Sequence, residues 1–575
     1  MKSAVVRLTT SATRTLPRWL LLAICMVYAV TGLFGRDPWK NEDAAGFGIM
    51  WTLANGSWQD WLLPNLAGKA ITSSGPLSYW LGAISLRIFG PWLNPIGATH
   101  IVTACLLCIS CAFVWYSSYL LGRRAEVQPF KYAFGGEPSS RDYGRTLADG
   151  ALLILLGCFG MAERSHETTP EITQLACIAI MLYGLIRSID KPKQGALWWG
   201  FALGLLLLAA NPALLVALLV STAVLTLVTR ELRSTALLTI GLPVLALIAI
   251  AWPLTAYIAL SDEARAYLHA WIFGNIHTFS GSPASALFYA LKNLPLYTWP
   301  AWPLAAWSWY SWAGLRRAPH VTIALSVISA LLILIALQTN ETNRLFLLLL
   351  PALSILATFA LPTLKRGTIN AIDWFALLSF TILGSFVWIV WIAQQTGFPA
   401  QIAHNLARLA PGFQAEFRLP AFIIALLVTG CWIALVHWRL ARHPKVLWRS
   451  VILSSAGTTL MWVLLMTLWL PLVNYSRTYR DVAAQIAHHL PTDYQCISPV
   501  RLGDAQIASF AYFGAMRFAF DNEDCDVLLR QDTWDYGAPA SLSPFVWKLV
   551  WEGHRPADRD ERFRLYVRSE RVRKR

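Results

Sequence analysis

LPRWLLLAICMVYAVTGLFGRDPWKNEDAAGF, residues 16–47, carries the two features that decide how this chain is read. Its first half is an apolar run long enough to cross a bilayer as a helix, which takes about 17–25 residues. Its second half turns polar, and two acids, Glu42 and Asp43, follow directly on the membrane exit. Lys2, Arg7, Arg14 and Arg18 precede the run, so the first span is expected to run from the cytoplasm outward. No convincing small-residue cleavage site precedes Arg36, and the run reads as a retained helix rather than a signal peptide.

Working outward, the same pattern repeats along the chain. Of 575 residues, 56% are hydrophobic and only 14% charged, with mean hydropathy +0.48, outside the balance of a soluble domain. The ten-residue alternation of an outer-membrane barrel is absent, so the predicted fold class is a polytopic α-helical membrane protein. The formal net charge of +15 does not point to nucleic acid, because Lys and Arg concentrate in short loops between apolar runs, where they set orientation.

The basic loop LGRRAEVQPFKYAFGGEPSSRDYGR, 121–145, belongs in the cytoplasm, which allows one crossing before it, HIVTACLLCISCAFVWYSSYLL at 100–121. The run PLSYWLGAISLRIFG, 76–90, is too short to span and contains Arg87; it reads as an outer interfacial helix, leaving 36–99 external. Further spans are expected near 148–164, 172–188, 197–210, 212–229, 235–258, 293–314, 320–338, 345–363, 370–394, 419–438 and 450–473, about 13 transmembrane helices in all. The basic loops then fall on one side, 259–292 and 395–418 face outward, and an odd count puts the C-terminus outside.

Near residue 475 the composition changes. YRDVAAQIAHHL and DAQIASFAYFGAM read as helices, and QCISPV, CDVLLRQ and FRLYVRSE as strands. The expected organisation is a transmembrane domain over 1–474 and a small external α/β domain over 475–575. Cys496 and Cys525 lie in that domain and are either a disulfide or two free thiols; spacing does not choose. Cys105, Cys108 and Cys111 imitate a cluster motif, but they sit inside a span without a fourth ligand nearby and read as packing residues.

The spans hold almost no charge near their centres, which argues against a proton relay or gating row. Acids gather instead at two outer boundaries: Glu42 and Asp43, and MAERSHETTPEI at 161–172, which holds Glu171. Carboxylates on two such loops can flank one substrate and take a proton from a hydroxyl. The competing reading is helix capping, for which Thr169, Pro170 and Glu171 are well suited.

The order of features is then specific. An acid pair after the first span, GSWQDWLLPNLAGK at 56–69, GPLSYWLGAISLRIFG at 75–90 and TTPEI at 168–172 together resemble the type C membrane glycosyltransferases of the protein O-mannosyltransferase and lipid A aminoarabinose transferase group. NIHTFSGSPASALFYALKNLPLYTWPAWPL at 275–304 looks like that group's long external loop, and NRLFLLLLPALSILA at 343–357 like its Arg-x-x-x-Leu-Pro-type segment. The resemblance covers most of the chain.

It implies transfer of a sugar from a polyprenyl-phosphate donor to a lipid, glycan or protein acceptor at the periplasmic face of a bacterial inner membrane. The group's first-loop acid falls on Glu42 or Asp43, or on Asn41 when counted back from the GSW turn, and its second acid falls on Glu171. Two departures weigh against aminoarabinose transfer itself: SSGP stands at 73–76 where that subgroup has Glu-Lys-Pro-Pro, and Asn211-Pro212 replace a Lys-Gly. Compensation of the donor phosphate then falls to Lys69, Arg265 or Arg344. No metal ligand is assigned, although a divalent cation is compatible with the acid cluster; membrane lipids are the expected surroundings. The rival functions are a lipid or polysaccharide flippase, which should show polar span linings or internal repeats, and a non-catalytic relative in envelope glycan assembly.

Overall fold

The computed structural model describes residues 6–274, 283–337, 342–442, 446–520, 525–532, 546–558 and 560–569. The first span is α1 (Arg18–Val30). After it the chain builds α2 (Glu42–Asn55), the short α3 (Trp58–Leu62), a hairpin of β1 (Asn65–Leu66) and β2 (Lys69–Ala70), and α4 (Leu77–Phe89). Ala67 and Gly68 take positive φ of 50° and 97° in the hairpin turn, the two-residue geometry that suits strand twist. The 13 residues of α4 make about 20 Å of helix, short of a bilayer's hydrocarbon thickness, whereas α1 belongs to a longer apolar stretch, Thr10–Val30, long enough to cross.

The membrane bundle follows as α5 (Pro95–Gly122), α6 (Ser140–Gly157), α7 (Phe159–Arg164), α8 (Pro170–Asp190), α9 (Pro192–Ala209), α10 (Pro212–Val228), α11 (Leu242–Ala259), α12 (Ser261–Phe273), α13 (Pro283–Tyr297), α14 (Ala301–Ser311), α15 (Pro319–Leu337), α16 (Thr342–Thr358), α17 (Arg366–Thr396), α18 (Ala400–Leu409), α19 (Leu419–Arg442) and α20 (Arg449–Thr467). Several start on a polar cap followed by proline: Asn94 with Pro95, and Asn211 with Pro212, each asparagine accepting from a backbone N–H of the first turn. Among the described residues nine helices are long and apolar enough to cross a membrane, and the chain is a multi-pass membrane protein. The α8 and α16 helices are buried almost all round, whereas α17 and α19 expose side chains such as Ile382 and Leu427, the pattern of central helices and lipid-facing ones.

Each expected span falls on helix for most of its length, and among the described residues nine of the thirteen are matched by helices long and apolar enough to cross. The segment 450–473 runs from α20 past Thr467 into a second helix starting at Leu470, and two others are broken within. The segment 148–164 is α6 and α7 with an extended residue, Cys158, between them. The segment 293–314 is α13 and α14, interrupted at Thr298–Pro300; Pro300 has no N–H to continue the ladder and disfavours helix at Trp299. The expected external loop 259–292 contains α12 and the start of α13, while its residues 275–282 lie outside the described residues.

Beyond α20 come α21 (Leu470–Arg477), α22 (Arg480–His489), β3 (Ile497–Val500), α23 (Asp504–Phe513), β4 (Val527–Asp532), β5 (Trp547–Gly553) and β6 (Arg562–Arg568). The sheet order is β3-β4-β6-β5, with β3 and β4 parallel and the other pairs antiparallel. Ile497, Val527, Leu529, Phe563 and Leu565 form its core with Val482, Ile486 and Phe510 from the helices. Cys496 and Cys525 are joined as a disulfide. Strand β5 is absent from the sequence expectation because its alternation is broken by a bulge at Leu549/Trp551 and much of it is exposed.

This sheet unit is seated on the first-loop helix. An added Cβ on Gly48 of α2 would lie 2.4 Å from Cβ of Ala508 in α23, so glycine is what lets the two helices approach. Asn474 ties the turn before α2 by accepting from Asp37 N (3.3 Å) and Trp39 Nε1 (2.9 Å). Lys40 pairs with Asp558 at 3.1 Å.

Candidate active site

The chain enters α2 through Asn41, whose φ of 77° and ψ of −133° lie outside the left-handed helical region, a sparsely populated conformation held by the contacts on either side of it. That turn sends Glu42 and Asp43 to different surroundings. Asp43 is 1% exposed. One carboxylate oxygen accepts from Arg36 Nη2 (2.7 Å) and Trp39 N (3.1 Å), the other from Thr168 N (2.7 Å) and Thr168 Oγ1 (2.9 Å). Burial alone would raise this carboxyl, but Arg36 and the two backbone N–H groups outweigh it and hold it below its ordinary value. Arg36 also donates to the carbonyl of His166 (2.9 Å), and His166 Nε2 meets the carbonyl of Tyr28 (2.8 Å). Burial depresses the imidazole of His166 to about 3, leaving it neutral. Asp43 is therefore a strut between the first loop and the α7–α8 link. The close approach continues at Gly46, where a Cβ would fall 2.1 Å from the carbonyl oxygen of Thr168.

Glu42 faces the opposite side and lines a cavity of about 130 Å³. Its Oε1 lies 2.8 Å from Arg344 Nη2, and its Oε2 lies 3.2 Å from Arg164 Nη1. Glu171, at the first turn of α8, lines the same cavity, 3.8 Å from Arg344 Nε. Tyr79 from α4, Gln174 from α8, Asn211 at the cap of α10 and Asp504 at the start of α23 complete the polar wall. Burial lifts the Tyr79 phenol to about 12, so it stays a hydroxyl, paired with Ser74 Oγ at 2.9 Å. The 56–75 segment forming one wall is braced from α11 and α12: Trp252 Nε1 donates to the carbonyl of Leu62 (2.8 Å), and the Tyr267 hydroxyl donates to that of Ile71.

The structure thus brings together Glu42, Glu171 and Arg344 from three distant parts of the sequence. It separates Asp43, which the Arg36 pair takes out of the cavity, and Asn41, which serves the turn. Lys69 stands at the rim, 2.5 Å from Asp504 Oδ1 and off the cavity wall. Arg265 lies on the exposed face of α12, 3.4 Å from the Tyr257 hydroxyl, and does not reach the cavity. Arg164, Glu167, Tyr79 and Asp504 carry no motif in the sequence that singles them out. Arg164 and Glu167 lie inside the acid-rich stretch 161–172, where their presence was visible but not their direction.

The residues present do not fit a dedicated cation site. Among the described residues no group of three or more His, Cys, Asp or Glu side chains could hold a metal ion, and the cavity carboxylates Glu42 and Glu171 face guanidinium groups.

A second space adjoins the first. Between α10, α15 and the end of α12 runs an apolar groove of about 740 Å³, lined by Pro212, Val216, Val220, Val224, Ile333 and Leu334 among others. Leu334 lines both spaces.

A helical membrane bundle, short helices after its first span, an acid-bearing cavity beside them and a small mixed domain seated on the first-loop helix make up an architecture that matches solved structures of the type C membrane glycosyltransferase fold. The chain matches ArnT from Cupriavidus metallidurans, in its apo state and bound to undecaprenyl phosphate, each with a TM-score of 0.64 at 16% identity over 95% of this chain and 97% of that one. At that identity the likeness is one of fold. No protein-family model matches the sequence, and no curated protein matches it.

Proposed function

We propose that this protein is a glycosyltransferase that moves a sugar from a polyprenyl-phosphate donor to a lipid, glycan or protein acceptor at the periplasmic face of the inner membrane, with its C-terminal α/β domain (475–575) on that side. The observation that carries this reading is the contact between the two spaces: a cavity with acids and a guanidinium opens beside an apolar groove within the bundle, sharing Leu334. One molecule fits such a pair of sites when it joins a long hydrocarbon to a charged, hydroxyl-rich head. Undecaprenyl phosphate, bound by the ArnT structure of similar fold, has the hydrocarbon and the charge, and a sugar carried on its phosphate would add the hydroxyls.

In the reaction Glu42 accepts the proton of the acceptor hydroxyl while the new bond forms at the anomeric carbon and the bond from that carbon to the phosphate oxygen breaks. Arg344 stabilises the departing lipid phosphate with charged hydrogen bonds. Arg344 rests on Glu42 at 2.8 Å, so an arriving phosphate competes for the guanidinium and frees the carboxylate for its role as base. Glu171, on the other side of Arg344, keeps that side chain aimed into the cavity.

The test is transfer of labelled sugar from a polyprenyl-phosphate donor by purified protein in lipid vesicles, together with retention of polyprenyl phosphate measured by native mass spectrometry. Glu42→Gln should cost about 10²–10⁴-fold in rate with lipid binding kept, because an amide preserves shape without accepting the proton. Failure to bind polyprenyl phosphate and to transfer from any such donor would end this reading.

A further inference from the structure

We propose that Glu167 is a positioning residue for this transfer: it divides Arg164 between itself and Glu42, and so sets how free Glu42 is to take the acceptor's proton. The inference rests on Glu42 being the base. A single nitrogen, Arg164 Nη1, lies 3.2 Å from Glu42 Oε2 and 3.2 Å from Glu167 Oε2. Glu42's other oxygen is held by Arg344. Any change in the grip of Arg164 is therefore felt by the carboxylate at the cavity.

The backbone on both sides of Glu167 is held. The residue before it is fixed through His166, whose carbonyl accepts from Arg36 and whose ring meets the carbonyl of Tyr28. The residue after it is fixed through Thr168, bound to Asp43 by both its N–H and its hydroxyl. The Glu167 side chain is only 14% exposed. With the backbone clamped on both sides and the side chain packed beside Arg164, gain or loss of the carboxyl proton alters the sharing.

The groups around it make that change accessible. Burial and the negative charges of Asp43 and Glu42 favour the protonated form, Arg164 and Arg36 oppose it, and Tyr297 from α13 faces the same cluster; the balance puts Glu167 at about 7. Below that value the neutral acid gives up its claim, and Arg164 turns wholly to Glu42, whose two oxygens are then both occupied by guanidiniums. Above it Glu167 draws Arg164 back, and Glu42 Oε2 is released to face the acceptor hydroxyl.

The experiment is a pH profile of kcat and of donor KM for wild type, Glu167→Gln and Glu167→Asp in vesicles. It is run beside infrared titration of the carboxylic-acid carbonyl band, which needs no turnover. In wild type kcat should rise as pH passes about 7. Glu167→Gln should lose that step and stay near the low-pH level, about three- to tenfold below wild type at high pH, far less than loss of the base itself. Its donor KM should be unchanged, and Glu167→Asp should restore a step. The infrared band should vanish near pH 7 in wild type, be absent in Glu167→Gln, and move to lower pH in Glu42→Gln, where one opposing charge is gone. A Glu167→Gln profile that keeps the wild-type step, or transfer without the band, overturns the positioning role alone. The band without transfer from any donor overturns the transferase reading and this inference with it.

Discussion

The two sides of the α2 N-terminus hold carboxylates one residue apart and use them in opposite ways. On the inner side Asp43 is 1% exposed, and both its oxygens are taken by short bonds to a buried guanidinium, two backbone N–H groups and a hydroxyl. On the cavity side the Glu42 side chain is 27% exposed, and its oxygens are held by two long arginine side chains that also face other acids. Fixed partners make a charge part of the scaffold, because nothing can relieve them without exposing an unpaired ion. Movable, shared partners leave the charge available to an incoming ligand.

The sharpest way to break this contrast is to neutralise each acid without changing its shape. Asp43→Asn leaves Arg36 buried beside an amide, and a broken buried pair costs about 3–5 kcal/mol. The expected result is a markedly lower melting temperature in detergent and early proteolysis between α1 and α2. Glu42→Gln should melt like wild type and lose transfer. The contribution of Asp43 is fully present above the unfolded carboxylate value of about 3.9 and is lost as pH falls through the depressed folded value, so acid should narrow the gap between wild type and Asp43→Asn. If Asp43→Asn melts like wild type while transfer vanishes, the roles of the two acids are reversed.

What the sequence could and could not reveal follows the same division. The spans were legible because bilayer thickness imposes a length and an apolar composition that local sequence carries. The helices and three of the four strands of the C-terminal sheet were legible from periodicity, and the exposed, bulged β5 was not. Glu42 and Asp43 drew attention as a pair, but which one faces the cavity depends on the φ of Asn41 and on Thr168, 125 residues away. Arg344 was named from its segment, and its contact with Glu42 is a product of bundle packing. Arg265 was named for its charge alone, and charge does not tell where a helix face points.

A smaller effect tests how closely the strut must be built. In α2, Gly46 has the carbonyl oxygen of Thr168 at 2.1 Å from where a Cβ would stand, and Thr168 is itself pinned by Asp43. Gly46→Ala must push the α7–α8 link outward, with a cost of about 1–3 kcal/mol for overpacking. Because Gly46 also lines the cavity, the shift should lower kcat along with melting temperature. An alanine variant with both at wild-type level would show that this link yields easily and that Asp43 does not fix it.

The smallest effect is expected at the rim, where Lys69 of the β1–β2 hairpin meets Asp504 of α23 at 2.5 Å with side chains 43% and 41% exposed. An ion pair open to water contributes about 0–1 kcal/mol, so Lys69→Ala should leave the melting temperature almost unchanged. Its functional effect separates two arrangements of the donor. Lys69 is off the cavity wall, whereas Arg344 is on it and touches Glu42; if Arg344 carries the phosphate, Lys69→Ala changes donor KM by less than about threefold, as expected for a solvent-exposed charge in a screened position. A KM increase of tenfold or more, with kcat kept, would mean that the phosphate draws Lys69 away from Asp504 and lies nearer the α2–α23 seam than the Glu42–Arg344 contact implies. Asp504→Asn then decides between the two, because releasing Lys69 should tighten donor binding only if the lysine reaches the phosphate.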